Sequence, residues 1–471
     1  MDTLSSYLTD RDIQTQLPEN SEVRRIQHGI ENALKVIMDS VQAKDSRLVG
    51  KLIPVGSYYS ELKIGLPDEF DFIYELQTLE EERDFEVMPS GFKGSKNLWR
   101  TPKGDPGKRK IFVKNPSKYS LNFDDSDPAE WVYRVGARNG LNNHECVLHP
   151  VGVKNSLHFA ILDVLREMDH SKLHRYLTVD ISEECTFIYG PAITLFFNWN
   201  GRFYKNLSIS VDLTVAVKAM KWESHFDFSR PHYMAPDSCL KYILFEEISQ
   251  NGYHLVPNIS DRGHIQWKIS TSFLETRVLA RFPKNSTIKR LIRVVKSVKD
   301  QHLKLAPNLD LMKDQSIANT IRFYSFYFGE DYNESFHHLV SSYIIKTSVF
   351  SLCGYASFLE WKKTPLSKLY LLILVFMYKA IHDGNLRNFF ISSQKLKIPA
   401  LCDILPGFYN CFHEADDKIR ENNAVLPADA TSITSGFHQL EREPFDNDAA
   451  LTIFQITKEH IDEHFNDLWN N

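Results

Sequence analysis

Val55-Gly56-Ser57-Tyr58-Tyr59-Ser60-Glu61-Leu62-Lys63, followed by Pro67-Asp68-Glu69-Phe70-Asp71-Phe72-Ile73-Tyr74-Glu75-Leu76, is the stretch from which the fold can be read. A short apolar run, Leu52-Ile53-Pro54-Val55, precedes the glycine; Tyr58 to Lys63 suits a helical turn, and Pro67 ends the connection. In the acidic segment Phe70, Phe72, Tyr74 and Leu76 alternate with Glu69, Asp71 and Ile73. Strand side chains repeat with a period of two, so one face is apolar and the other carries Glu69 and Asp71 as neighbours. Two carboxylates on one strand face repel each other unless a cation or proton lies between them. Mg²⁺ is the fitting cation, since it is bound through one or two carboxylates plus substrate phosphates.

A third acid comes from Leu207-Ser208-Ile209-Ser210-Val211-Asp212-Leu213-Thr214-Val215, the cleanest alternating strand in the chain. Its odd positions are apolar, and Asp212 lies on the polar face of a strand that otherwise reads as buried. A Gly-Ser pair, then Glu-x-Asp, then a distant strand aspartate resembles the signature of polymerase-β-like nucleotidyltransferases. The physical logic is a turn that brings backbone N–H groups and a hydroxyl to a triphosphate. Three acids then clamp two ions that align the attacking hydroxyl and stabilise the leaving pyrophosphate.

The wording of these motifs is similar to that of cyclic GMP–AMP synthase and its animal relatives. Ile209 to Thr214 matches the third-acid strand of that family. Gln266-Trp267-Lys268-Ile269-Ser270 and Ser341-Ser342-Tyr343-Ile344-Ile345-Lys346-Thr347 resemble its two nucleotide-contacting segments, in the right order. The resemblance runs from about Val23 to about Phe390.

Composition sets outer bounds. The chain has 471 residues, 24% charged and 43% hydrophobic, with a net charge of −5. It reads as an ordinary globular protein in which any nucleic-acid site must be a local patch. The N-terminus shows no apolar signal region, and the run Leu369 to Met377 is too short to span a bilayer, so it reads as a core helix and no membrane partner is expected. Six cysteines without framework spacing suit a reducing compartment, and a cytoplasmic location is expected.

Val23, Ile26, Ile30, Leu34, Ile37 and Val41 recur at spacings of three and four, which predicts an amphipathic helix of about six turns ending near Lys44. It resembles the family's long spine helix, whose outer face touches activating nucleic acid. That assigns Arg24, Arg25 and Lys35 to such contacts, although a solvated helix face has the same composition. From about residue 80 to 127, glycines, prolines and seven cations between Lys93 and Lys110 mark an irregular or hairpin insertion with a basic surface, either phosphate-reaching or merely solubilising. Val151 to Met168 returns to helical spacing, and Tyr189 to Phe197 reads as a strand that turns back into the Asp212 strand. Beyond about Glu223 helices dominate. Lys284 to Lys304 carries seven cations against one acid, Asp300, around the stripe Ile288, Leu291, Ile292, Val295 and Val298. This predicts a helix with a basic outer face, from which Lys289 and Arg293 are candidate nucleic-acid contacts. By resemblance, Lys296 reaches nucleotide phosphates and Tyr343 stacks on a base, with a core tyrosine as the alternative. The segment Asn422 to Asp446 reads as loop or tail.

The chain departs from the vertebrate synthase in one respect. Between Leu279 and Lys289, where its zinc cluster would fall, there is neither cysteine nor histidine. His144-x-Cys146-x-x-His149 lacks a fourth ligand, and His337-His338 with Cys353 is weaker still, so no zinc is expected. Related invertebrate receptors without the zinc element include sensors of double-stranded RNA, which makes RNA the preferred ligand over DNA.

The expected architecture is α+β and bilobal: a polymerase-β-like nucleotidyltransferase lobe with a mixed β-sheet over residues 1–225, and a helical lobe with a polar tail over 226–471. The resemblance implies an enzyme that senses nucleic acid and makes a cyclic dinucleotide from two NTPs, ATP and/or GTP, for innate immune signalling, with dimerisation on its ligand. Glu69, Asp71 and Asp212 are the expected catalytic acids and ligands of two Mg²⁺ (or Mn²⁺) ions. Gly56, Ser57 and Lys296 are expected to hold triphosphate, and Lys268, Ser270, Ser272, Glu275, Ser342, Tyr343 and Lys346 to contact bases or sugars. Where the best-known member has arginine this chain has Lys268, which lacks the planar fork, so guanine preference does not carry over. The alternatives are a catalytically silent scaffold resembling the Mab developmental proteins and a template-independent RNA-end polymerase. The intact acids argue against the first and the Ser341–Thr347 match against the second.

Overall fold

The computed structural model describes residues 3–18, 20–89, 105–120, 127–135, 145–180, 186–187, 190–220, 239–258, 265–302, 340–355, 364–382, 388–391, 411, 414–415 and 418. Residues 90–104 and 121–126 of the basic insertion, His144, His337, His338 and the 422–446 segment lie outside them. The chain divides into two compact units, one of residues 17–225 and 244–281 and the other of residues 1–16, 226–243 and 282–471. A single boundary at 225 is therefore too simple. The first helix belongs with the C-terminal unit, and residues 244–281 supply two strands and a helix to the sheet unit.

In the sheet unit, α2 (Ser21–Lys44) starts where the Asn20 side chain accepts from the N–H groups of Glu22 and Val23. That caps two of the donors that a helix start leaves unpaired. Val23, Ile26, Ile30, Leu34, Ile37 and Val41 are all buried, as their spacing predicts. The strands are β1 (Gly50–Val55), β2 (Glu69–Leu76), β3 (Phe85–Pro89), β4 (Lys108–Val113), β5 (Val132–Val135), β6 (Glu145–Leu148), β7 (Leu177–Val179), β8 (Thr186–Phe187), β9 (Ala192–Trp199), β10 (Leu207–Ala219), β11 (Tyr253–Pro257) and β12 (Trp267–Ser270). The short α3 (Gly56–Tyr59) follows β1, α4 (Pro150–Glu167) packs on α2, α5 spans Cys239–Asn251, and α6 (Ser272–Ala280) follows β12.

Among the described residues these strands form one mixed sheet in the order β1-β2-β10-β11-β12-β4-β6-β5, with β3 beside β4, β9 beside β10, and β7 and β8 beside β9. β10 ties the sheet together. Its first part lies parallel to β2 and antiparallel to β9, and its last three residues pair with β11. β1 pairs with β2 alone among the described strands, which accommodates Pro54 on an edge. Three buried tryptophans fill the core with their N–H groups satisfied: Trp131 on Ser156 Oγ, Trp267 on the Leu148 carbonyl and Trp199 on Glu22. Glu22 is itself fully buried and also accepts from the backbone of Phe203 and Tyr204, fastening the β9–β10 hairpin to the start of α2.

The second unit is helical where described: α1 (Thr3–Thr15), α7 (Thr287–His302), α8 (Ser342–Tyr355) and α9 (Leu366–His382). Leu369 to Val375 on α9 are buried as a core run, and no helix among the described residues is long and apolar enough to cross a membrane. The predicted basic outer face of α7 is not exposed, and α1 packs against the helix around Arg293. Lys289, Arg293, Lys296 and Lys299 are all buried, Arg293 completely. Asp12 of α1 accepts from Arg293 Nε at 2.7 Å and from Nη2 at 3.0 Å, and Arg290 donates to Thr9. Arg11 in turn donates to Ser297 and Gln301 of α7. Lys289 and Arg293 are thus enclosed, which corrects their assignment as nucleic-acid contacts.

Candidate active site

The alternation in β2 and β10 places the acids, and strand pairing brings them together. Asp71 and Asp212 are direct register partners on parallel strands, with Ser210 opposite Glu69 two residues earlier. Side chains at paired positions project from the same face, so the three acids share one patch of the sheet. On the other side of Asp71 its partner is Val55, the last residue of β1.

The turn after Val55 is shaped by Asp71. Gly56 has φ of +82°, and a Cβ built there would lie 1.9 Å from Asp71 Oδ2. Only a residue without a side chain leaves room for that carboxylate against the turn. Tyr58 and Tyr59 hold α3 in place by packing on Phe70 and Phe72, while Tyr59 Oη donates to Glu31 Oε1 of α2 at 3.0 Å. Burial, then the neighbouring Glu31 charge, pushes the Tyr58 phenol up to about 12, so it stays protonated near neutral pH.

Each acid has its own internal environment. Thr194 on β9, the cross-strand partner of Asp212, donates to Asp212 Oδ1 at 2.6 Å. Burial holds the Asp212 carboxyl above its usual range; the Thr194 hydrogen bond opposes this and the charge of Glu69 adds to it. Lys63, in the loop between α3 and β2, lies 2.8 Å from Glu69 Oε2 and 2.9 Å from Asp68 Oδ1. As the side chains stand, no group of three His, Cys, Asp or Glu among the described residues is arranged around a metal position. The donor chemistry nonetheless suits a hard divalent cation: three carboxylates from neighbouring register positions on one sheet face. Sequence reasoning assigned no role to Lys63 or Thr194. Lys63 sits inside the quoted motif, and Thr194 had no local signal at all.

The remaining candidates fall into separate groups. Ser57 is half-buried in the turn beside Gly56. Lys268 lies on β12; partial burial of its ammonium lowers its pKa, with Asp105 opposing the shift and Lys108 adding to it. Ser270 on the same strand faces His254 of β11, and Ser272 begins α6. Glu275 is buried, accepting from the Thr271 hydroxyl at 2.7 Å, so it stabilises the start of α6, where sequence reasoning had placed a sugar or base contact. On α2, Arg24 is exposed, Arg25 is 3.7 Å from buried Glu22, and Lys35 pairs with Asp39 one turn on. Lys296 on α7 and Ser342, Tyr343 and Lys346 on α8 belong to the helical unit. Lys296 is buried, and the other three are half-buried.

Residues 58–280 match the family described as Mab-21 protein nucleotidyltransferase domain. The match takes in all three acids and begins two residues after Gly56. With the mixed sheet and its flanking helices, the chain has an α+β nucleotidyltransferase fold.

Proposed function

We propose that this Mab-21 nucleotidyltransferase domain serves an enzyme that joins two nucleoside triphosphates, ATP and/or GTP, into a cyclic dinucleotide messenger for innate immune signalling. Its activator in this reading is nucleic acid, double-stranded RNA before DNA, met in the cytoplasm and accompanied by dimerisation on the ligand. One observation carries the reading: Asp71 and Asp212 are register partners beside a Gly-Ser turn that has no Cβ where the Asp71 carboxylate lies. A scaffold has no need of that arrangement.

Glu69, Asp71 and Asp212 are the residues that would hold Mg²⁺ or Mn²⁺, whose chemistry when bound is to neutralise the triphosphate and the departing pyrophosphate. Gly56 admits the Asp71 carboxylate to the turn, and Ser57 offers its hydroxyl next to it. Asp212 takes the proton of the attacking ribose hydroxyl as that oxygen bonds to the α-phosphorus and the bond to pyrophosphate breaks. The Thr194 hydroxyl, 2.6 Å from Asp212 Oδ1, holds that carboxylate in place for the transfer. A second transfer of the same kind closes the ring. Lys268 and Ser270, and on the helical unit Lys296, Ser342, Tyr343 and Lys346, are the proposed contacts to phosphates, sugars and bases. Exposed Arg24 and Lys35 and half-buried Arg25 on α2 remain the proposed nucleic-acid contacts.

The test is incubation with four radiolabelled NTPs and Mg²⁺, alone and with double-stranded RNA or DNA. A phosphatase-resistant product that needs RNA and disappears in Asp71→Ala is the expected result. A product that needs DNA would overturn the choice of activator. Absence of product from folded protein under every condition would overturn the enzyme reading in favour of the scaffold.

A further inference from the structure

The loop between α3 and β2 carries a cation that the proposed chemistry does not use. The Lys63 side chain is 11% exposed, whereas its partners Asp68 and Glu69 are 40% and 50% exposed. Two solvent-facing carboxylates are therefore drawn onto one enclosed ammonium. The backbone enforces this placement. Glu61 and Gly65 have φ of +60° and +77°, and the Leu62 N–H donates to the Ser57 carbonyl with Leu62 itself fully buried. The lysine is thus folded inward by a defined loop that begins at the Gly-Ser turn.

Its two partners differ in position. Glu69 is one of the three acids on the common sheet face, and its charge acts on Asp212. Asp68 precedes the strand and is not among the three. A divalent cation at the acids competes with Lys63 for the Glu69 carboxylate but not for that of Asp68.

We propose that Lys63 is the resident countercharge of the acidic cluster, yielding Glu69 to an incoming divalent cation while keeping Asp68. Lys63 then sets the cation concentration at which the site assembles. Retaining one acid partner makes the exchange shallow, because the ammonium is never left enclosed without a counter-ion. A lysine that merely braced Glu69 in a cation-ready position would have the opposite effect on affinity. The inference rests on the metal-assisted reading above, and the test separates the two.

Mn²⁺ binding to the full chain is measured without nucleotide, from the electron paramagnetic resonance signal of the free ion. Lys63→Met, which keeps the stem and removes the charge, is expected to tighten Mn²⁺ by about three- to tenfold, the range for loss of one competing, partly screened charge. Lys63→Arg is expected to stay within about twofold of the wild type. Unchanged or weaker binding in a Lys63→Met protein with wild-type circular dichroism and melting overturns the role of Lys63. Should that variant fail to fold, the wild type decides through reductive methylation read by mass spectrometry. Mn²⁺ is expected to raise labelling at Lys63 at least about twofold as one of its two carboxylates departs. Equal labelling with Mn²⁺ bound overturns the proposal. If the wild type binds Mn²⁺ only beside a non-hydrolysable ATP analogue, the same comparison is read there; no binding in either condition overturns the metal-assisted reading itself, a result distinct from binding that ignores Lys63.

Discussion

Replacing Gly56 with alanine separates backbone strain from loss of space at the acids. The φ of +82° alone costs an L-residue about 1–2 kcal/mol. The added methyl would lie 1.9 Å from Asp71 Oδ2, 2.6 Å from its Cγ and 2.7 Å from its Cβ. Since the Asp71 Cβ is itself too close, rotating the carboxylate does not relieve the clash, and the turn and β2 must part. Overpacking of this kind adds about 1–3 kcal/mol, for a total near 2–5 kcal/mol. A reacting group displaced by about 1 Å loses roughly a hundredfold in rate. Gly65→Ala is the matched control: its φ is +77°, and a Cβ there meets nothing within 4 Å. Urea unfolding followed by tryptophan fluorescence reports stability, and pyrophosphate release at saturating NTP and activator reports turnover. Gly65→Ala should lose about 1–2 kcal/mol and keep its rate within about threefold. Gly56→Ala should lose more stability and about a hundredfold in rate. Equal rate losses in the two variants would refute the argument that the missing Cβ makes room for Asp71.

Three further outcomes follow from the same structure. Thr194→Val removes the hydrogen bond that lowers the Asp212 pKa, so that pKa rises and the acid limb of the pH–rate profile moves to higher pH; an unmoved limb would deny Asp212 the role of base. Asp12→Ala leaves Arg293 enclosed without its carboxylate and should cost about 3–5 kcal/mol in urea unfolding, whereas a loss below about 1 kcal/mol would show that Arg293 finds water. Burial by itself would raise the Glu75 carboxyl, but hydrogen bonds from His254 and Lys51 outweigh it and hold it at about 2, against a free value of 4.5. Its folded pKa lies below its unfolded one, so this stability is complete above 4.5 and is lost as pH falls through about 2, a change of order 3 kcal/mol. Glu75→Gln should flatten that part of the acid-unfolding curve, and a variant with the same slope would place its origin elsewhere.

Local periodicity made much of the sheet unit legible. The three- and four-residue spacing of α2 named its buried face, and the period of two in β2 and β10 put Asp71 and Asp212 on polar faces before any strand was paired. Cations misled. Charge along a helix ordinarily marks a solvated face, so α7 read as basic and open, yet Asp12, 281 residues from Arg293, closes over it. Glu275 shows a second kind of silence, since nothing local announces that its carboxylate accepts from Thr271 at the start of α6.

By itself the sequence determined which residues alternate, where the Gly-Ser turn interrupts them, and that Glu69 and Asp71 share one strand face. These follow from the backbone repeat, which acts over a few residues. Tertiary structure alone decided that Asp212 pairs with Asp71 in parallel register, that Thr194 and Lys63 each hold one of the acids, and that α1 packs against α7. Strand register and ion pairs between distant segments are set by how the whole chain packs, and no window of neighbouring residues contains that information.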